Sequence, residues 1–255
     1  MTIYYVDNQN AQSTSPFSTW ATAARFVSSI AQIDAAGDIV YVAARHAETT
    51  ATATTWTWAG TSTSPTRIIC ADHTSGEPPT SVSTGASVST TGNALLIACA
   101  GASSFYCYGI NFSIGTGGSA ADLTLYSALG VAIYERCRFA LMTDAAGTDL
   151  FIANNGGALV RLINCSYLVA NAATALQLAN QTQCEIYGGS TISTRPNPLL
   201  EAGSVVNKFL ISGLDCSSLV NSFNFLNGPS EGREVIIRNC NLPDSWTGSV
   251  YTGAV

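Results

Sequence analysis

The segment Val160-Arg-Leu-Ile-Asn-Cys-Ser-Tyr167 is one of six that share a single pattern, and this repetition decides the fold. The other five are Phe105-Tyr-Cys-Tyr-Gly-Ile-Asn-Phe112, Ala132-Ile-Tyr-Glu-Arg-Cys-Arg-Phe139, Cys184-Glu-Ile-Tyr-Gly-Gly-Ser-Thr191, Phe209-Leu-Ile-Ser-Gly-Leu-Asp-Cys216 and Val235-Ile-Ile-Arg-Asn-Cys-Asn-Leu242. Successive segments begin 27, 28, 24, 25 and 26 residues apart along the chain. A period in the twenties predicts a solenoid, in which each repeat buries its apolar face against the repeats on either side.

The order of residues inside each segment predicts the kind of solenoid. The first and third residues are mostly apolar, as on the buried face of a strand. The fifth residue is Gly, Arg, Asn, Gly, Gly and Asn in turn, and Gly and Asn tolerate the left-handed backbone of a sharp corner. A second short strand precedes each segment, as Leu123-Thr-Leu125 does before Ala132. We therefore predict an all-β chain in which residues 44–255 form one parallel β-helix of about 24–28 residues per coil.

The sixth residues of the segments predict a ladder of side chains along the core. Its members are Ile110, Cys137, Cys165, Leu214 and Cys240. Cysteine behaves as a small buried hydrophobe, and the eight cysteines show no CxxC or Cys/His spacing typical of a metal site. We expect reduced thiols in the core, and neither a metal nor another cofactor. His46 and His73 are expected to be isolated surface or loop residues.

Composition limits the partners that this chain is expected to bind. Charged residues make up 10% of it and the net charge is −6, so it offers no basic footprint for nucleic acid. The opening Met1-Thr-Ile-Tyr-Tyr-Val-Asp7 is typical of a strand and not of a signal peptide. The apolar run over 94–102 is too short for a membrane span. We expect one elongated domain, made in the cytoplasm, with no nucleic-acid or membrane partner.

The sequence patterns at the two ends of the chain predict different structures. Within residues 1–43, apolar residues recur at helical spacing and predict a helix over 21–33. They are Trp20, Ala23, Ala24, Val27, Ile30 and Ala31. We expect this helix to cap the first coil, whose apolar core and backbone groups would otherwise be exposed. Pro243 breaks the pattern at the other end and no capping helix follows it, so the last coil is expected to be open.

A resemblance to a known family narrows the fold. Ser18-Thr-Trp-Ala-Thr-Ala23, followed by Gly37-Asp-Ile-Val-Tyr-Val-Ala43, resembles the opening of pectate-lyase-like right-handed β-helix proteins. Gly60-Thr-Ser-Thr-Ser-Pro-Thr-Arg-Ile-Ile69 is similar to their early coils. This group is common among decoration and spike proteins of tailed bacteriophage virions. The resemblance implies a right-handed coil, a place in the virion, phage capsid or other virion proteins as partners, and a homotrimer.

The same group includes polysaccharide lyases and glycoside hydrolases, which use clustered or paired carboxylates. Here the candidate catalytic residues are Asp122 and Asp149, one repeat apart, with Asp144 in the same corner. Residues one coil apart in a stacked sheet lie about 5 Å apart, close enough to share a proton or a cation. However, all three lie in Gly/Ala/Thr-rich loops and the repeat fixes no basic residue beside them. We therefore expect solvated carboxylates and no catalytic site.

The second and fourth residues of the segments point away from the lumen and predict an interface. Its members are Tyr106, Tyr108, Ile133, Ile163, Leu210 and Ile236. Aliphatic residues facing outward on several coils indicate a protein contact, whereas the stacking of a sugar on aromatic rings does not need Ile or Leu. The prediction is a non-enzymatic structural protein of a phage virion, namely a capsid decoration or head-auxiliary protein that associates with itself. The alternative is a tail spike or fibre module that binds or degrades host surface polysaccharide.

Overall fold

The structure, a computed structural model, describes residues 1–10, 13–100, 103–115, 122–126, 130–142, 150–153, 159–169, 176–178, 183–191, 199–202, 208–227 and 234–252. The first strands are β1 (Ile3–Val6), β2 (Ile39–Ala43), β3 (Ala47–Thr50), β4 (Thr54–Thr55), β5 (Thr66–Ala71), β6 (Ser87–Thr90), β7 (Leu96–Ile97), β8 (Phe105–Tyr108), β9 (Asn111–Ile114), β10 (Leu123–Thr124), β11 (Val131–Glu135) and β12 (Arg138–Leu141). They are followed by β13 (Leu150–Ala153), β14 (Leu159–Ile163), β15 (Ser166–Val169), β16 (Leu176–Leu178), β17 (Gln183–Tyr187), β18 (Ser190–Thr191), β19 (Leu200–Ala202), β20 (Lys208–Ser212), β21 (Leu226–Asn227), β22 (Glu234–Arg238) and β23 (Tyr251–Thr252). A 3-10 helix spans Trp20–Thr22, and the α-helix α1 spans Val27–Ile30.

These strands form three stacked sheets in the described part of the chain. Sheet A has nine strands in the order β1-β2-β5-β8-β11-β14-β17-β20-β22. Sheet B has six, in the order β18-β15-β12-β9-β6-β3, and sheet C has eight, in the order β23-β21-β19-β16-β13-β10-β7-β4. Neighbouring strands within a sheet are parallel, and strands that are neighbours in space come from successive coils. The fold is therefore a nearly all-β parallel β-solenoid, as the repeat predicted.

Strand pairing in sheet A confirms the alignment of the repeats residue by residue. Ala132 pairs with Phe105 and with Val160. Cys184 pairs with Val160 and with Phe209, which in turn pairs with Val235. The first residues of all six sequence segments thus lie in one row across the sheet.

The fifth residue of each segment forms the corner between sheets A and B. The backbone φ angle there is positive in every segment: Gly109 72°, Arg136 52°, Asn164 52°, Gly188 62°, Gly213 75° and Asn239 55°. Left-handed backbone is least costly for Gly and Asn. The corner is therefore specified locally in each coil, and Arg136 is the member for which it is least favourable.

Aromatic side chains stack through the lumen in successive coils. The ring of Phe139 stacks on Phe112 with a centroid separation of 5.6 Å and lies 5.9 Å from the ring of Tyr167. Tyr134 packs edge-on against Phe139 at 5.3 Å. All four are buried. Like residues in like positions of the repeat therefore build a continuous core, which is what a solenoid needs to stabilise short strands.

The cysteines line the same core as free thiols. Cys137 and Cys165 are buried, and so are their ladder neighbours Ile110 and Leu214. Cys137 Sγ lies 3.9 Å from Cys107 Sγ, far beyond the length of about 2.05 Å of a disulfide. Cys240 differs from the expectation, because it lies half-buried in the terminal coil, where its equivalents in earlier coils are covered by the next one.

The predicted capping helix over 21–33 is wrong. The chain forms only the short 3-10 helix and the four-residue α1. Between them Ala24 is extended: its N–H donates to Tyr5 O at 2.8 Å and its carbonyl accepts from Asp7 N at 2.8 Å. These bonds to β1 replace the helical bonds that the apolar spacing predicted. Val27 and Ile30 still join the hydrophobic core.

No helix within the described residues is long and apolar enough to cross a membrane.

Candidate functional site

The outer face of sheet A presents two rows of side chains. Because side chains alternate between the two faces of a strand, the strand register fixes the members of each row. Row 1 contains Ile3, Ile39, Arg67, Tyr106, Ile133, Arg161, Glu185, Leu210 and Ile236. Row 2 contains Tyr5, Tyr41, Ile69, Tyr108, Glu135, Ile163, Tyr187, Ser212 and Arg238.

All six residues of the predicted interface lie on this face. Tyr106, Ile133, Leu210 and Ile236 are in row 1, and the other two, Tyr108 and Ile163, are in row 2. Most of them are half-buried, because each side chain is flanked by those of the coils before and after it. Tyr108 is buried, while Ile236 on the last strand is 39% exposed. The six residues of the predicted interface therefore leave only part of their apolar surface exposed, and Ile236 at the end of the face leaves the most.

The two carboxylates in rows 1 and 2, Glu135 and Glu185, accept hydrogen bonds from neighbouring side chains. Arg161 Nε donates to Glu185 Oε2 at 2.6 Å, and the hydroxyl of Tyr187 donates to the same oxygen at 3.3 Å. The hydroxyl of Tyr106 donates to Glu135 Oε2 at 2.9 Å. Burial first, and then this hydrogen bond to a carboxylate, raise the pKa of Tyr106. Both carboxylates thus have tyrosine partners, which lowers the cost of placing an apolar surface against them.

The β1 end of the same face is covered by the chain itself. Tyr5 of row 2 is only 3% exposed, because the ring of Trp20 lies edge-on against it at a centroid distance of 4.7 Å. Trp20 is in turn held by the 72–80 loop: its indole Nε1 donates to Gly76 O at 3.2 Å and its backbone N donates to Glu77 Oε1 at 2.5 Å. The chain itself therefore covers this face at β1, whereas Arg67 on β5 is exposed.

The carboxylate corner is described only in part. Asp122 precedes β10, and its carbonyl accepts a hydrogen bond from Leu96 N at 3.1 Å. Asp144 and Asp149 lie outside the described residues. Within the described residues, no group of three or more His, Cys, Asp or Glu side chains is placed to hold a metal ion.

Sequence reasoning missed a buried polar pair near the first coil. His46 lies between β2 and β3, but it is 1% exposed and not on the surface, and Glu48 is 2% exposed. His46 Nδ1 accepts from Asn8 N at 3.0 Å, so the ring proton resides on Nε2, which lies 3.3 Å from Glu48 Oε2. The same oxygen accepts from Val27 N at 2.9 Å, at the start of α1. Both side chains hold the backbone of other segments, and the His-x-Glu spacing at the start of β3 was the signal in the sequence.

The outer face of sheet B is different in character. Its first row contains Ala47, Ser87, Asn111, Arg138, Ser166 and Ser190. A shallow cavity of about 340 Å³ lies on this face and is lined by Ser87, Asn111, Ser113, Arg138 and Met142, among others. Small hydroxyl and amide side chains beside one guanidinium can form hydrogen bonds with a polar ligand. In the described part of the chain, this groove and the outer face of sheet A both offer binding chemistry.

Comparisons with known proteins identified no relative of this chain. No family model, no curated protein and no solved structure matches this chain. The strand pairing alone defines its class, a parallel β-solenoid, and the comparisons assign it neither to the pectate-lyase-like group nor to phage proteins.

Proposed function

We propose that this protein is a non-enzymatic structural protein that assembles with itself through the outer face of sheet A. One observation carries the proposal: aliphatic and aromatic side chains continue along that face from Tyr106 to Ile236. Every coil from β8 to β22 adds at least one such side chain to the face, although the Arg161–Glu185 pair lies between Ile133 and Leu210 in row 1. An exposed patch of apolar side chains is a mark of protein contact sites. The pairing of Glu135 and Glu185 with tyrosine and arginine groups supports it, because no carboxylate there would be buried without a partner.

The balance of residue types favours a protein partner over a sugar. A sugar ring stacks on aromatic faces, whereas Ile133, Ile163 and Leu210 add only aliphatic surface. Removing such surface from water is favourable by roughly 25 cal/mol per Å². Side chains from a neighbouring subunit can fill the spaces between them, and a polar glycan cannot.

A virion location is the more specific part of the proposal and rests on the resemblance of residues 18–43 and 60–69 to phage β-helix proteins. From it we propose a right-handed solenoid that forms a homotrimer and serves as a capsid decoration or head-auxiliary protein. Its other partners are then capsid or other virion proteins. Mass spectrometry of separately purified phage heads and tails tests this. The protein is expected with the heads, and recovery with the tails alone would contradict a decoration role.

A second candidate, a spike or fibre module that binds host surface polysaccharide, is favoured by the polar groove on sheet B. Arg138 and Asn111 there could bind the hydroxyl and carboxylate groups of an acidic glycan. Binding of the purified protein to a panel of bacterial capsular polysaccharides separates the two. If Arg138→Ala removes binding that Arg67→Ala leaves intact, the second function replaces the first.

A further inference from the structure

The end of the solenoid at β22 is an open apolar surface. Val235 and Ile237 occupy inward positions of the repeat, and their equivalents on β20, Phe209 and Ile211, are buried. On β22 both are only half-buried. With Phe225, Leu242, Trp246 and Val250 they line a cavity of about 410 Å³. Core residues are thus presented to the outside at this end.

Strand β22 is also an edge with hydrogen-bonding capacity. It is the last strand of sheet A and pairs with β20 on one side. The carbonyl of Arg238 accepts from Gly213 N at 3.1 Å, so the backbone groups of Arg238, and by alternation those of Ile236 and Glu234, face β20. Those of Val235 and Ile237 face the opposite side, where the described part of the chain places no strand. An exposed edge of this kind pairs readily with another strand.

The sequence of β22 is complementary to itself in the antiparallel direction. It reads Glu234-Val-Ile-Ile-Arg238, with an acid at one end, a base at the other and β-branched residues between them. With a two-fold axis through Ile236, Glu234 lies opposite Arg238 of the second copy, and the converse pair forms by symmetry. Ile236 then meets Ile236, and Val235 meets Ile237. Each of these is a favourable cross-strand pair.

The backbone geometry selects the same register. Because Val235 and Ile237 direct their N–H and C=O groups to the open side, they form the closely hydrogen-bonded pair of the antiparallel ladder. Glu234 and Arg238 then form the other type of pair, in which the Cα atoms are only about 4.5 Å apart and the side chains are closest. A shift of two residues would place Glu234 or Arg238 opposite Ile236. A shift of one residue would place inward-facing side chains of one copy opposite outward-facing side chains of the other.

We propose that two copies of this chain join end to end through antiparallel pairing of β22, extending sheet A across a two-fold axis and closing both open cores. The opposite end of the solenoid does not offer such an edge, because Ala24 pairs with β1 there. A head-to-tail filament therefore lacks one of its two surfaces, and a closed isologous dimer is the arrangement that fits. Lys208, which lies 2.6 Å from Glu234, would extend each ion pair to three groups.

Charge reversal tests the pairing without relying on a single variant. All proteins carry Ile133→Lys, which disrupts the outer face of sheet A and leaves β22 unchanged. In this background we expect light scattering to give twice the mass of one 26.5 kDa chain. Glu234→Arg and Arg238→Glu should each give the mass of one chain, because like charges then face each other. An equimolar mixture of the two variants should recover the double mass, since opposite charges meet again at both positions.

The control is Arg67→Glu, a charge reversal on the same sheet but far from β22, which should leave the mass doubled. Circular dichroism of each variant establishes that it is folded. Two results would overturn the proposal: a single-chain mass for the Ile133→Lys protein at all concentrations, or a double mass unaffected by either reversal. The lateral assembly is measured separately in the chain without Ile133→Lys, so failure of one contact is distinguishable from failure of the other.

Discussion

The hydroxyl of Tyr106 on β8 donates a 2.9 Å hydrogen bond to the carboxylate of Glu135 on β11, diagonally across two neighbouring coils. Tyr106 lies in row 1 and Glu135 in row 2. The bond therefore joins the two rows as well as the two coils, and it holds the charge of Glu135 against the sheet.

Removing this bond should weaken the fold in a pH-dependent way. Tyr106→Phe should lower the free energy of unfolding by roughly 1 kcal/mol at neutral pH. The pKa of Tyr106 is raised in the folded chain by burial and by the Glu135 bond, so its stabilisation is complete below about pH 10 and is lost as the pH rises above that value. Urea titrations at pH 8 and pH 10.5 should show the difference between wild type and variant shrinking at the higher pH. An unchanged difference would mean that the phenol makes no such contribution.

The lateral assembly depends on aliphatic contacts in row 1. Ile133→Lys and Leu210→Lys each place a charge in the proposed contact, so either should reduce the mass measured by light scattering to a smaller assembly. Thr49→Lys, on the exposed face of sheet B, is the control and should have no effect. A wild-type protein with the mass expected from end-to-end pairing alone would contradict the lateral contact.

Thiol labelling should distinguish the end of the core from its interior. Seven of the eight cysteines are buried and Cys240 is half-buried. Burial raises the pKa of the Cys184 and Cys216 thiols to about 12, so almost no reactive thiolate forms there at pH 8. The native protein should therefore show one readily labelled thiol, and Cys240→Ser should remove it. Fast labelling of Cys137 or Cys165 would contradict their place in the core.

The corner between sheets A and B should tolerate substitution very unequally. A Cβ at Gly189 would overlap the backbone of Cys165, and the backbone there is left-handed with φ 87°. A Cβ at Gly213 would meet only Gly188, at 3.7 Å, with φ 75°. Gly213→Ala should cost about 1–2 kcal/mol for the left-handed backbone alone, and Gly189→Ala several kcal/mol. Thermal melts of the two variants provide the comparison, and similar melting temperatures would argue against the close coil-to-coil contact.

The buried face of α1 gives a fifth test. Val27 is in the core, so Val27→Asp would place an unpaired charge there and should cost several kcal/mol. Val82→Asp is the matched control, because Val82 is 58% exposed, and its effect should stay within about 0.5 kcal/mol. Chemical denaturation measures both, and equal losses would place the Val27 segment outside the core.

The repeats were predictable because the sequence pattern that forms each coil is local. It consists of two inward apolar residues, then a corner residue such as Asn164 or Gly213, then an inward thiol or aliphatic side chain. The same approach predicted the wrong secondary structure for residues 20–31. Their apolar spacing fits a helix, but the extended pairing of Ala24 with Tyr5 depends on a strand that the local pattern does not contain. The His46–Glu48 pair was missed for a similar reason, since the groups that it binds, Asn8 and Val27, are distant in sequence.

The unequal ends of the solenoid have a kinetic consequence. In a stack where each coil contacts only its neighbours, local unfolding proceeds from whichever end is less well held. Ala24 pairs with β1, while among the described strands β22 has a partner on one side only. Amide hydrogen exchange should therefore be fastest in β22 and slow progressively toward β8, so that the chain frays in one direction. Any contact that covers β22 would slow exchange in this strand and well into the coils behind it, so the lifetime of the whole folded stack would be set at this one edge.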